Sequence, residues 1–414
     1  MAVVSLAQDV VQVDVDFYDE KEKEKLLRYP SAAAMLELVT KPCSIPMAEF
    51  LTYYLFHRKG RPSYRDYWSI GWKLEVAISH LDGCIEANGH SIYTAPGEAE
   101  QLTEVSQHTG EAIGLSVVNR IHRLTEADWT PIPRQQTKSL DFQLASDGER
   151  FIQVENKGSS VPDNRKLDER VRAQKRNITA KKLQLAEKGA HLDPAALRYG
   201  TITAVDPRQD SRVRCWLTDP PPDQIDEDPR RFRLLQRLRF LRDWISFVSS
   251  RSQLSAALAT RVADLEAMRD PFELDNVPIL RGNAEPFDFS RYHRPHQHSS
   301  FFSNKSRITD GPAGGLVVQT SPRDLFLVGI REELLDIAAK QNFDRVTSYR
   351  SKTGTVEKSV ECVFSRGRLR TLRLPASIRS QLRETAGYSA FQLRGAIHYS
   401  PAGLVFGRLP LPSE

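Results

Sequence analysis

The stretch Leu140-Asp141-Phe142-Gln143-Leu144-Ala145-Ser146-Asp147-Gly148-Glu149-Arg150-Phe151-Ile152-Gln153-Val154-Glu155-Asn156-Lys157 reads as two short strands joined by a tight turn. Leu140, Phe142, Leu144, Ile152 and Val154 are interleaved with Asp141, Gln143, Gln153, Glu155 and Lys157, the period-2 pattern of strands with one buried face. Turn length decides which side chains share that face, because a one-residue slip in register moves every side chain to the other side. A two-residue Asp147-Gly148 loop would put the carboxylates of Asp141 and Glu155 on opposite faces and mix charge into the core. A three-residue loop, Ser146-Asp147-Gly148 with Gly148 in the left-handed region, gathers the apolar side chains on one face and Asp141, Glu155 and Lys157 on the other. The odd loop is therefore expected.

Two carboxylates and an amine on one exposed sheet face suit a hard divalent cation, Mg²⁺ or Mn²⁺, with a lysine beside a metal-bound water able to attack a phosphodiester. The plainer alternative is a surface hairpin carrying an ion pair. Working outward, the hairpin follows a helix with a glutamate, Gly110-Glu111-Ala112-Ile113-Gly114, and a strand begun by Asp128-Trp129-Thr130-Pro131-Ile132. It precedes a basic helix over 168–188 and an apolar strand over 199–205.

This order, with Asp141 on the second strand and Glu155-Asn156-Lys157 on the third, resembles the core of the PD-(D/E)xK, or restriction-endonuclease-like, nuclease superfamily over residues 98–217. The pattern departs at Leu140, where the name-giving proline would stand, and the literal Pro162-Asp163 falls after the Glu-x-Lys strand. The resemblance implies that Asp141, Glu155 and the main-chain carbonyl of Asn156 hold one or two Mg²⁺ or Mn²⁺ ions. It implies that Lys157 orients or deprotonates water, or stabilises transition-state charge, and that Glu111 reaches the centre from its helix, with Glu104 as a rival. Arg172, Gln174, Lys175, Arg176 and Lys181 on the basic helix would meet nucleic acid, the cations by long-range attraction to phosphates without sequence information, the glutamine as in some nuclease branches.

Length and charge set wider bounds. The 414 residues allow two or three domains, and a net charge of +5 permits an anionic partner without requiring one. Cys43, Cys84, Cys215 and Cys362 are scattered without metal-ligand spacing, which fits buried thiols in a reducing cytoplasm. No apolar run reaches membrane-spanning length, and no membrane partner is expected. Walker-type loops, dinucleotide fingerprints and a Gly-x-Ser-x-Gly elbow are missing, which excludes a built-in ATP-driven motor and a serine hydrolase.

The expected fold is mixed α/β: a restriction-endonuclease-like core sheet flanked by helices, with an N-terminal helical region and a C-terminal α+β domain. Residues 1–95 form the helical region, whose Tyr53, Tyr54, Phe56, Tyr67, Trp68 and Trp72 recur with aliphatics at helical spacing and suit core packing before base stacking. The nuclease-like core covers 96–222. A helical hairpin over 223–269 starts at Asp228-Pro229 and carries a seam of Leu234, Leu238, Leu241, Ile245 and Val248, packed within the chain or between copies in a homodimer. Residues 270–315 read as a linker whose His293, His296 and His298 are solvated, and 316–414 as the α+β domain, with strands at 369–374 among others and a run of Arg366, Arg368, Arg370 and Arg373.

The function expected is a Mg²⁺-dependent phosphodiesterase acting on DNA ahead of RNA, in a bacterial defence or repair setting, with a homodimer or a separate activating protein as possible partners. The alternatives are a non-catalytic nucleic-acid binder on the same fold, and a regulatory scaffold working through the 234–248 seam.

Overall fold

The computed structural model describes residues 9–56, 67–95, 103–131, 143–187, 197–218, 228–248, 253–267, 300–303, 312–385 and 388–413. The chain is mixed α/β and divides into two compact units, Met1–Arg61 with His80–Gln236, and Pro62–Ser79 with Arg237–Glu414.

The first unit is built on a seven-stranded sheet. Its elements in order are β1 (Val10–Phe17), α1 (Glu20–Leu26), α2 (Ala32–Thr40), β2 (Cys43–Pro46), α3 (Met47–Phe56), the end of α4 (Tyr67–Cys84), β3 (Ile85–Ala87), β4 (Ile92–Thr94) and α5 (Thr103–His122). There follow β5 (Trp129–Pro131), β6 (Gln143–Ser146), β7 (Phe151–Ser160), α6 (Glu169–Glu187), β8 (Leu197–Val205), β9 (Val213–Thr218) and the start of α7 (Pro229–Val248). Strand order is β2-β1-β9-β8-β7-β6-β5. β5, β6 and β7 run antiparallel in succession, α6 crosses over to bring β8 parallel to β7, β9 returns antiparallel, and β1 joins parallel to β9.

The first 95 residues are therefore not a separate helical region. Val11, Val13 and Val15 are buried on alternate positions of β1, and the polar residues between them find partners at the start of β9: Arg212 Nη1, just before the strand, lies 3.3 Å from Asp14 Oδ1, and Arg214 pairs with Asp16. α3 is buried along its whole length, so Tyr53, Tyr54 and Phe56 are core residues, as their spacing implies. The side chains of Tyr67, Trp68 and Trp72 lie outside the described residues.

Two helices cover the two faces of β7 and β8. Side chains alternate along a strand, so Asn156 and Gly158 face one way and Glu155 and Lys157 the other. α5 lies on the Asn156 side at backbone contact: a Cβ on Gly110 would stand 2.4 Å from the Gly158 nitrogen, and one on Gly114 would stand 2.1 Å from Thr201 Oγ1. α6 lies on the Glu155 side, where Val171 and Ile178 pack with Ile202, Ala204 and Trp216. β7 is consequently enclosed on both faces and continues through Gly158-Ser159-Ser160.

This enclosure corrects the hairpin register. Ser146 pairs with Phe151, Ala145 with Ile152, Leu144 with Gln153 and Gln143 with Val154, which leaves Asp147–Arg150 as a four-residue turn. Asp147 closes it by accepting the backbone N–H groups of Glu149 at 2.9 Å and Arg150 at 2.8 Å, and Gly148 takes φ +97°. Leu144 and Phe151 share the Gln153 face, where they pack on Phe232 of α7, while Ile152 and Val154 point the other way. With both faces covered, a strand has no need to gather its apolar side chains on one of them.

The second unit holds the remainder of α7, α8 (Gln253–Ala267), β10 (Ser300–Ser303), β11 (Pro312–Ser321), β12 (Asp324–Arg331), α9 (Glu332–Lys340) and α10 (Phe343–Ser348). It ends with β13 (Gly354–Ser365), α11 (Arg366–Leu369), α12 (Ala376–Arg379), β14 (Arg383–Thr385), β15 (Tyr388–Tyr399) and β16 (Leu404–Pro410). Strands β13-β10-β11-β12-β16-β15 pair antiparallel, and β13 pairs with β15 to close a six-stranded barrel around Leu325, Leu327, Phe364, Phe391, Leu393 and Leu409. Two expectations change here. Ser300–Ser303 is a barrel strand inside the predicted linker, while residues 268–299, with His293, His296 and His298, lie outside the described residues. The span 369–374 is not a strand, because Arg366–Leu369 forms a helix and Leu372 and Leu374 turn into the barrel. A short helix over Ala376–Arg379 gives way to β14. No helix among the described residues is long and apolar enough to cross a membrane.

Candidate active site

Glu155 and Lys157 stand two residues apart on β7 and therefore on one side of it. Glu155 is fully buried, the Lys157 side chain is 15% exposed, and Lys157 Nζ lies 2.7 Å from Glu155 Oε1. Burial of a carboxylate requires a partner of this kind, since an isolated charge in a dry site is strongly disfavoured. Asn156, between them, points to α5, where its Oδ1 accepts from Thr201 Oγ1 at 2.7 Å; its Nδ2 is buried without a hydrogen-bond partner among the described residues.

Not every predicted residue joins this pair. Asp141 lies outside the described residues. Glu111 is buried on α5, the helix covering the opposite face, and its Oε1 accepts from Gln107 Nε2 at 3.3 Å. Glu104 is exposed, 4.0 Å from His108 Nε2. Among the described residues no three His, Cys, Asp or Glu side chains are grouped to hold a metal. Glu155 has the hard-oxygen chemistry that Mg²⁺ or Mn²⁺ requires, and completing a site calls for at least one further oxygen donor.

α6 carries its predicted contact residues on different sides. Gln174 stands one turn from Ile178 and beside Val171, on the flank that faces the sheet and hence the Glu155 side. Arg172 and Arg176 are exposed, 58% and 65% by side chain, and both engage Glu169, at 3.8 Å and 2.6 Å. Lys175 differs: its Nζ lies 2.9 Å from Oε1 of near-buried Glu22 in α1 and over the Tyr18 ring, which makes it an anchor of the helix rather than a free cation. Tyr18 in turn has its phenol pKa raised, by burial first and by Asp19 next. The Lys181 side chain lies outside the described residues.

A second constellation escaped the sequence. His122 ends α5, with Nδ1 3.6 Å from Asp147 Oδ2 and Nε2 2.8 Å from the Tyr199 hydroxyl, which is 3.0 Å from Ser31 Oγ. Burial would raise the Asp147 carboxyl, but hydrogen bonds from His122 and from the Glu149 and Arg150 amides outweigh it and hold its pKa below the ordinary value. Arg233 Nη1 donates to the Asp147 carbonyl at 2.6 Å, and its Nε donates to buried Asp128 at 3.1 Å. The chain of contacts ties the hairpin turn to α5, β8 and α7. The Asp-Gly dipeptide marked the turn, but nothing local marked its partners.

No protein-family model, curated protein or solved structure matches the chain.

Proposed function

We propose that the first unit is a metal-dependent nuclease acting on DNA, with the β7 pair Glu155–Lys157 at its centre. The observation that carries this reading is the buried 2.7 Å contact between Glu155 and Lys157, set in a helix, three antiparallel strands, a crossover helix and a parallel strand. That order, α5-β5-β6-β7-α6-β8, supports a restriction-endonuclease-like core. An exposed structural ion pair is worth little and needs no burial. Enclosing this one between α6 and the sheet is costly, which favours a chemical use for it.

The metal would be held by Glu155 and the Asn156 carbonyl with at least one further oxygen donor, and would supply charge neutralisation and an activated water. Lys157, kept in place by Glu155, would donate to a non-bridging phosphate oxygen as negative charge develops there. Gln174, on the sheet-facing flank of α6, would position the substrate, and exposed Arg172 and Arg176 would attract phosphates. Water adds to phosphorus, the bridging oxygen leaves, and the proton lost by water passes to solvent.

The test incubates full-length protein with supercoiled and linear DNA in Mg²⁺, Mn²⁺ or EDTA, beside Lys157→Ala and Glu155→Gln. Metal-dependent cleavage that is lost in both variants is expected, by about 100-fold or more for removal of a preorganised charge. Cleavage surviving in Lys157→Ala sinks the assignment. A second reading, DNA binding without cleavage, draws on the missing three-ligand group among the described residues; it predicts salt-dependent binding by the parent and no metal-dependent product.

A further inference from the structure

We propose that one end of the C-terminal barrel is a DNA-phosphate-binding surface separate from the β7 site. β11, β13 and β16 finish at this end, β12 and β15 begin at it, and the connection from β13 to β15 closes it. Over residues 366–383 that connection contains six arginines and no acidic residue or lysine. Leu372, Leu374 and Ile378 sink into the barrel core, with Leu369 and Leu382 packed against it. Arg366, Arg370, Arg373, Arg379 and Arg383 are exposed on its outer side, and Arg323 of the β11–β12 turn is exposed at the same end.

Three features separate this plug from an ordinary solvated face. Surfaces that serve only solubility mix both signs of charge, whereas one sign here runs through 18 consecutive residues. Local neutralisation is thin: Arg366 lies 3.5 Å from exposed Glu384, Arg383 lies 3.4 Å from Glu361, and Arg368 is turned to Glu75. Arg370 and Arg373 form no ion pair among the described residues, and the Arg373 backbone is pinned at both N–H and C=O by the Gln319 side chain, at 3.0 and 3.3 Å. The backbone bearing the guanidinium groups is thus fixed by leucines beneath it, which lowers the entropy lost when they bind.

The choice of arginine throughout also points to phosphate, which its planar fork meets with two parallel hydrogen bonds. No aromatic residue occurs in 366–383, so bases have no stacking platform and contacts fall on the backbone without sequence preference. The choice of DNA among polyanions rests on the nuclease reading; the surface itself does not.

The test measures binding of full-length protein to a fluorescent duplex of about 30 base pairs in EDTA, by anisotropy, from about 50 to 200 mM salt. Arg370→Ala/Arg373→Ala should lower affinity and reduce the slope of log K against log salt by about 2, while Arg370→Lys/Arg373→Lys should restore the slope. A slope unchanged in the alanine pair, or a parent protein that binds no duplex, overturns the proposal. Lys157→Ala is run alongside. Cleavage by the parent with an unchanged alanine-pair slope sinks the barrel surface alone, and a reduced slope without any cleavage supports the surface and sinks the nuclease.

Discussion

Gly110→Ala tests the contact that places the Glu155–Lys157 strand. The new Cβ would stand 2.4 Å from the Gly158 nitrogen, 2.5 Å from its Cα and 2.7 Å from the Lys157 carbonyl carbon. All three are main-chain atoms held in the β7–β8 ladder, so no side chain can swing aside and α5 must lift from the strand by about 1 Å. Overpacking of this kind costs about 3 kcal/mol, offset by about 1 kcal/mol for replacing a helical glycine with alanine, which leaves a net loss of about 2 kcal/mol. Gly83 in α4 is the internal control, because a Cβ there meets nothing within 4 Å. Gly83→Ala should raise stability by about 0.5–1 kcal/mol. Both glycines belong to the first unit, so hydrogen exchange of β7 and β8 peptides under a urea series reports on both without assuming that the two units unfold together. A Gly110→Ala protein as stable as the parent in β7, with Gly83→Ala behaving as expected, would refute the close-approach explanation of the helix–strand geometry.

Two further changes probe the elements around the site. Lys175→Ala removes the ammonium beside near-buried Glu22 and should cost about 2 kcal/mol, whereas Arg176→Ala, with both partners of its pair about two-thirds exposed, should cost under about 0.5 kcal/mol; equal urea midpoints for the two variants would overturn the distinction. Asp147 has a depressed carboxyl pKa, so its contribution is present above the unfolded value near 4 and is lost as pH falls through the folded one. Asp147→Asn should therefore lower stability by about 1–2 kcal/mol at neutral pH and flatten the acid limb below about pH 4, and acid unfolding curves that stay parallel to the parent's would contradict it.

Strongly periodic or punctuated segments were legible. Pro229 opens α7 where Asp228-Pro229 predicts it, and a second helix follows over Gln253–Ala267 within the expected hairpin. β1 was not legible for a definite reason. Its alternation is clear at Val11, Val13 and Val15, but Asp14 and Asp16 merge with the charged run that follows, and the arginines that neutralise them lie 198 residues away, just before and within β9. A window of local sequence reports the charge and not the strand that answers it. The arginine run after Ser365 failed in the opposite sense: its alternating Leu and Arg mimic a strand, while the leucines in fact plug a barrel whose closure depends on β13 pairing with β15.

The site shows the same limit at closer range. The expectation of one exposed sheet face assumed a hairpin open to solvent, and from that assumption came the odd loop and the common face for Asp141, Glu155 and Lys157. α6 removes the assumption. Once a helix covers the polar side, Gln153 and Glu155 are fully buried alongside Ile152 and Val154, and alternation no longer distinguishes inside from outside. The turn then settles on four residues because Asp147 can cap two backbone amides while answering His122, a partner supplied by α5. Sequence spacing still carried one relation intact, the placement of Glu155 and Lys157 on one side of β7, because that follows from the two-residue period of a strand and from no tertiary contact. What it could not carry was the consequence of burial: a lysine and a glutamate that would be a solvated pair on an open hairpin become, between α6 and the sheet, an enclosed charge pair held at 2.7 Å.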